Sequence, residues 1–249
     1  MDKIRINNLL KSNNFFDIEI VEEIESTSKY LLENNKLFKK NKVLIALNQT
    51  NGVGQYGRKY YCYENDGLYF SLLLKKYHSN INVSQLTMIF SIIIVEVFNE
   101  LYQKDLKIKW VNDIFYENRK VAGILIQTTY DENELDVVVG IGINLFKPTN
   151  GFNKVIDDIA GAIFTDEKID KDMIITCIIN KFINYYFNDN IKEIHQKYLS
   201  KSLVLKKSVY LNDELVYIDN INEDGSLEVI KNGEILNVVS GRIKLGVKK

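Results

Sequence analysis

Along this chain the spacing of apolar positions changes character near residue 200. In "STSKYLLENNKLFKK", Tyr30, Leu31, Leu37 and Phe38 follow a cluster of helix-capping residue types, which predicts a helix from about Ser28. Short apolar runs at about 43–49 and 68–75 predict two strands. "SQLTMIFSIIIVEVFNELYQ" is apolar on most of its circumference and predicts a largely buried helix, with Ser84 as its candidate cap. "LKIKW", "DIFY", "KVAGILIQTTY" and "LDVVVGIGINL" are strand patterns, the second and third joined across "ENR" as a hairpin. Helical spacing returns at about 170–187 and 190–199. Residues 1–200 are therefore expected to form one α+β domain around a mixed sheet.

From Leu203 the pattern becomes short strands with turn signals at Asn212–Asp213, Asp224–Gly225 and Asn232–Gly233. Asn-Gly between the apolar runs "LEVI" and "EILNVV" is a strong hairpin signal. Residues 201–249 are expected to form a small β-barrel, of a size that gains stability by docking on a larger core.

Composition narrows the function classes. The 32 basic and 33 acidic residues nearly cancel, which argues against a protein built to grip bulk nucleic acid through phosphate neutralisation. The N-terminus lacks a continuous apolar segment of the secretory type. The most apolar stretch, Leu86–Phe98, is interrupted by Thr87, Ser91 and Glu96 and is short for a membrane span. Cys62 and Cys177 lie far apart without a CxxC pair, so neither a zinc site nor a disulfide framework is expected and a reducing cytoplasm is the expected home. His78 and His195 fall in an expected loop and an expected surface helix, where solvated or capping roles outweigh catalysis.

Chemistry concentrates in four places. "NQTNGVGQYGRKYY" holds Gly52-x-Gly54-x-x-Gly57, the spacing of a dinucleotide-binding turn. That fingerprint requires a helix after the glycines, and the aromatic and β-branched run that follows predicts strand instead. Nor does "GQYGRK" end as a phosphate-binding P-loop must. The loop remains a place for an anion, through backbone N–H groups, Arg58 and Lys59. "ESTS" caps a helix or offers the Ser26 and Thr27 hydroxyls to a small polar ligand. "KWVND" is a plain turn, or it sets Asn112 and Asp113 at a sheet rim where a carboxylate can bind a metal ion or an amine. "RKVAGIL" and "GIGINL" place Gly123, Gly140 and Gly142 inside strands near Lys120 and Asn144, marking either bulges or a close approach to one shared pocket.

Taken in order, "ESTS…YLL", "NQTNGVGQYGRKY", "DGLYFSLLL", "KIKWVNDIFYENRKVAGILIQ" and "VVVGIGINL", followed by a small β-unit, closely resemble biotin protein ligase from about Glu22 to Leu145. The resemblance implies a biotin/lipoate ligase-like catalytic fold with an SH3-like C-terminal barrel. It also implies a reaction in which biotin and ATP, with Mg²⁺, give biotinyl-5′-AMP, and biotin then passes to one lysine of a carboxylase carrier domain. By match of position, Ser26, Thr27, Ser28, Gln49, Gly52, Val53, Lys120 and Gly123 would hold biotin. Gly54, Gln55, Arg58, Lys59, Tyr60, Lys120 and Asn144 would hold ATP or the adenylate. Arg58, Lys120, Asn112 and Asp113 would be catalytic, with Asp113 also the metal ligand.

Four positions depart from the family pattern, one of them Tyr60, where the family often has Trp. Val53 and Gln55 stand where the loop usually carries arginines, and Val111 replaces the usual proline. Loss of the guanidinium at Gln55 removes a bidentate phosphate contact, so a looser hold on the adenylate is expected. The two dozen residues before the ligase motifs are few for a DNA-binding domain, and the expectation is a ligase that does not regulate an operon or bind DNA. A membrane partner is not expected. Family members sometimes dimerise along a sheet edge, and a homodimer is left open. Rival readings are a ligase for a related acid such as lipoate or octanoate, and a non-catalytic biotin-binding module.

Overall fold

The computed structural model describes residues 1–12, 14–77, 81–188 and 190–245. A short helix α1 (Lys3–Leu9) leads into strand β1 (Asp17–Ile24), helix α2 (Thr27–Glu33) and strand β2 (Lys42–Gln49). After the glycine-rich loop come β3 (Gly67–Leu74) and the long helix α3 (Val83–Tyr102). Four strands follow, β4 (Lys107–Lys109), β5 (Asp113–Tyr116), β6 (Arg119–Asp131) and β7 (Glu134–Asn144), then helices α4 (Lys171–Asn188) and α5 (Ile191–Lys201). These seven strands make one sheet in the order β1-β2-β3-β7-β6-β5-β4, parallel only between β1 and β2. The mixed sheet expected from sequence is thus present.

α1 and β1 carry no usable sequence signal. α1 buries only Ile6, and β1 buries only Ile18 on a strand rich in glutamate at the sheet edge. α3 begins with Asn82 rather than Ser84 as its cap. Asn82 Oδ1 accepts from the Gln85 N–H at 2.8 Å while Gln85 Oε1 accepts from the Asn82 N–H at 2.9 Å, a reciprocal pair that outcompetes a lone serine. With 20 residues and a mean hydropathy of 1.4, α3 is long and apolar enough to cross a membrane, yet 67% of that stretch is buried inside this protein.

The predicted β5–β6 hairpin forms across Glu117 and Asn118, both in the left-handed region (φ 47° and 63°). One face of the sheet, through Leu68, Phe70, Val139, Ile141 and Ile143, packs on α3 and α4 and holds the main core. α2 covers part of the opposite face over a smaller cluster of Leu31, Leu44, Leu73 and Val138. The rest of that face is where the candidate chemistry gathers.

β8 (Lys207–Leu211), β9 (Glu214–Ile221), β10 (Leu227–Lys231), β11 (Glu234–Val238) and β12 (Ile243–Leu245) form a second, antiparallel sheet in the order β11-β10-β9-β8-β12. Its hairpin turns fall where the turn residues stand, with positive φ at Asn212, Asp213, Gly225, Asn232 and Gly233. Among the described residues the pairing runs from β11 to β12 without joining those two edges. Val209, Ile218, Ile221, Leu227 and Val229 are continuous with the main core. Polar ties cross the junction: Trp110 Nε1–H donates to the Gly225 carbonyl at 2.8 Å, and His195 Nε2 lies 2.6 Å from the Ile221 carbonyl. His195 is thereby a bridge between α5 and β9, while His78 lies outside the described residues.

Candidate active site

Strand alternation sets positions 138, 140, 142 and 144 of β7 on one face, and each later position in that row meets a different chemistry. A Cβ on Gly140 would come within 3.1 Å of Ser28 Cβ, and one on Gly142 within 2.5 Å of the Tyr60 ring. Gly123 pairs directly with Gly142 across β6–β7, and Asp113 pairs with Gly123 across β5–β6. The glycines foreseen as pocket-makers therefore clear a trough that Tyr60 partly fills, its hydroxyl donating to the Gly142 carbonyl at 2.8 Å. Desolvation holds the Tyr60 phenol well above its ordinary pKa, with smaller contributions from Tyr69, Cys62 and Asp113.

At one end of the trough sits an uncharged polar cluster. Ser26, Thr27 and Ser28 are all buried. Ser26 is the N-cap of α2, which starts at Thr27, one residue earlier than predicted, and its Oγ lies 3.2 Å from Ser28 Oγ. Gln49 Oε1 accepts from the Thr27 N–H at 2.7 Å and lies 3.1 Å from the Thr27 hydroxyl. Thr27 Oγ1 is also 2.7 Å from Ser71 Oγ on β3. Ser71 escaped sequence reasoning, although a lone hydroxyl inside the apolar run "GLYFSLLL" was the available signal. The cluster suits a neutral ligand group with both donors and acceptors, which would be costly to bury unpaired.

At the other end lies charge. Lys120 Nζ is 2.5 Å from Asp113 Oδ1, and Lys109 Nζ is 3.9 Å from Asp113 Oδ2. Burial pushes the Lys109 ammonium below its ordinary pKa; Asp113 opposes this, and repulsion from Lys120, Arg242 and Arg58 adds to it. Two cations from β4 and β6 thus share one carboxylate, with two more close enough to be felt, which defines an anion-seeking region. Arg242, just before β12, had no sequence signal. Asn112 does not join this group directly, since its Nδ2–H donates to the Ile124 carbonyl at 2.7 Å and its own carbonyl accepts from the Ile124 N–H at 3.1 Å. It fixes the turn that presents Asp113.

The glycine-rich loop folds as a narrow hairpin, with Val53 bridged to Lys59 and the Gly54 N–H donating to the Arg58 carbonyl at 2.7 Å. The only helical turn it contains is a single short one over Gln55–Gly57 before the chain returns to strand, so the dinucleotide reading fails for the reason the sequence gives. Gly52 sits under the returning chain, where a Cβ would come within 2.6 Å of the Tyr60 carbonyl. Val53, Gly54 and Gln55 are half-buried, whereas Arg58 and Lys59 are exposed. The Arg58 guanidinium lies 5.6 Å from the Tyr56 ring and Lys59 Nζ 5.5 Å from the Tyr61 ring. Lys120 and Asp113 are brought together; Arg58 stays on the hairpin surface.

Past Gly142 in the same row, Asn144 is buried and donates from Nδ2 to the Gly161 carbonyl at 3.1 Å, while its Oδ1 has no partner. The segment after β7 walls this end. The Lys120 N–H donates to the Ile159 carbonyl and the Gly161 N–H to the Lys120 carbonyl, each at 2.8 Å. No group of three or more His, Cys, Asp or Glu placed to hold a metal ion occurs among the described residues.

A neutral polar cluster, a glycine trough and a lysine–carboxylate pair thus lie together on one face of the mixed sheet. Residues 20–144 match the Biotin/lipoate A/B protein ligase family, and the chain belongs to that family. It is 29% identical over 171 residues to the bifunctional ligase/repressor BirA of Bacillus subtilis, covering 68% of this chain and 52% of that protein. To the bifunctional ligase/repressor BirA of Escherichia coli it is 30% identical over 129 residues, covering 51% of this chain and 40% of that protein. The chain thus spans about half the length of these relatives. Among solved structures, biotin protein ligase from Aquifex aeolicus in complex with biotin and ATP superimposes with a TM-score of 0.75 at 26% identity, covering 92% of this chain and 98% of that one.

Proposed function

We propose that this protein uses ATP to attach biotin to a lysine of a biotin carboxyl carrier domain, through biotinyl-5′-AMP. The observation that carries the reading is the row along β7: hydroxyls at Gly140, the Lys120–Asp113 pair beside Gly142, and an orphan acceptor on Asn144. Successive same-face positions are about 7 Å apart along a strand. That order fits a molecule with a neutral ureido head, a carboxylate tail and, beyond it, a base whose amino group can satisfy Asn144.

A carboxylate resists an amine because its charge repels nucleophiles and its oxygen leaves badly. In the first half-reaction a carboxylate oxygen attacks the α-phosphorus of ATP and pyrophosphate leaves. Lys120 turns from Asp113 to the two anions being joined and lowers their repulsion, acting where charge develops. Arg58, held at the surface by Tyr56, supplies further charge when the hairpin closes over the phosphates. In the second half-reaction the lysine amine attacks the acyl carbon, AMP leaves, and the amine proton passes to Asp113 or to water. Mg²⁺ commonly binds through one or two carboxylates together with substrate phosphates. Asp113 would be the protein carboxylate that holds it, and the ion would neutralise phosphate charge.

Purified protein, ATP, Mg²⁺, labelled biotin, a carrier domain and an unrelated bystander protein in one tube provide the test. Labelling of the carrier is the expected result. No labelling, together with no biotin-dependent exchange of pyrophosphate into ATP, would leave only a biotin-binding module. Labelling from lipoate that free biotin does not suppress would assign a different acid.

A further inference from the structure

We propose that Cys62 is a positioning residue for the neutral end of the site: its thiol accepts from the Gln49 amide NH₂, whose orientation Thr27 sets, and ties it to the glycine hairpin. This rests on the functional reading above. The donor directions at Gln49 are forced by chemistry. The Thr27 backbone N–H can only donate, so the amide atom 2.7 Å from it is Oε1. The amide NH₂ must then face the other way, where it donates to Cys62 Sγ at 3.2 Å. The thiol in turn lies 3.8 Å from the Tyr60 carbonyl, so its one proton points to the hairpin while its lone pair receives Gln49.

The same logic runs backwards through Thr27. With Oε1 as acceptor, the Thr27 hydroxyl donates to Gln49 and accepts a hydrogen bond from the Ser71 hydroxyl at 2.7 Å. One directed chain therefore runs from Ser71 through Thr27 and Gln49 to Cys62 and the Tyr60 carbonyl. Its consequence is a fixed polarity: Thr27 offers a ligand only a lone pair, and Gln49 offers its second N–H. A flipped Gln49 would reverse that pattern. Only a group that both accepts and donates can close the chain at Cys62, and it must stay protonated to do so. Burial pushes the Cys62 thiol up to about 11, the Gln49 hydrogen bond and Lys59 opposing this weakly, so the proton is kept throughout the neutral range. The thiol is closely packed against the hairpin, since a Cβ at Gly52 would touch Sγ at 3.0 Å.

The test is a double-mutant cycle on the full chain, reading the KM for biotin and kcat in pyrophosphate exchange, with direct biotin binding measured in parallel. Cys62→Ala is expected to raise KM about tenfold with kcat within about twofold, and Cys62→Ser, which keeps a donor and an acceptor, to recover most of the loss. In a Gln49→Ala background, Cys62→Ala should add nothing, because its effect passes through Gln49. Additive losses, equal losses for serine and alanine, or a fall in kcat at constant KM would each overturn the role. If Cys62→Ala unfolds, Cys62→Ser against Cys62→Val with matching melting curves decides the same question. Failure of the wild-type chain to bind biotin at all would sink the functional reading itself, and this role with it.

Discussion

Lys120 is the residue on which most chemistry converges. It sits between Asp113 at 2.5 Å and the trough at Gly123, and removing its charge leaves two anions to approach unaided. Lys120→Met is expected to cut the rate of biotin-dependent pyrophosphate exchange by about 10²-fold or more, while biotin binding falls far less. A loss confined to binding would show that Lys120 only anchors the carboxylate. Gln55, half-buried in the hairpin where the family resemblance implies an arginine, tests retention rather than formation. Gln55→Arg is expected to slow release of biotinyl-5′-AMP in a single-turnover filter assay and to reduce labelling of bystander lysines; unchanged release would mean that the hairpin holds the adenylate without a guanidinium. At this scale the sequence was informative where side-chain type alone marks chemistry, as in "ESTS", "KWVND" and "RKVAG". It was silent on Ser71, whose role depends on meeting Thr27 from a different strand, and on Arg242, which reaches the site only through the second sheet.

Elements were legible in proportion to how much they bury. α3 and β7 announce themselves by long apolar runs, whereas α1 and β1, with one buried residue each, do not. The helical layer also carries a polar network that periodicity cannot reveal. On α3, Glu96 faces Lys181 of α4 at 3.1 Å and Lys197 of α5 at 2.8 Å, with the Tyr185 hydroxyl 3.0 Å away. Burial pushes the Glu96 carboxyl up, but hydrogen bonds from Lys197 and Lys181 outweigh it and hold the pKa below the ordinary value. A depressed carboxylate stabilises the fold above its unfolded pKa of about 4.3, and that contribution disappears as pH falls through the folded value. Glu96→Gln should therefore cost about 1–3 kcal/mol in urea denaturation at pH 7, with the gap to wild type narrowing at acid pH. A gap of equal size at both pH values would show a packing role and no ionic one.

For the whole molecule, the change of pattern near residue 200 marks where one sheet gives way to another, and the question is whether it also marks an independent folding unit. The junction argues that it does not. The inner face of the second sheet is continuous with the main core through Ile194, Tyr198 and Val204, so separation would expose apolar surface on both sides at about 25 cal/mol per Å². Trp110 stands at this junction, 5% exposed, with its indole N–H on the Gly225 carbonyl. It is the only tryptophan in the chain, so its fluorescence reports on this junction. Far-ultraviolet circular dichroism reports mainly the helices of the first unit. The two signals should change together in a urea titration, with coincident midpoints, because neither unit keeps its core when the other leaves. If fluorescence shifts at clearly lower urea than the dichroism, the second sheet undocks first and Arg242 is withdrawn from the anion site before the fold is lost. Coincidence would instead mean that the charge felt at Lys109 from Lys120 and Arg242 is assembled only in the fully folded chain, so that the proposed activity and global stability decline along one curve.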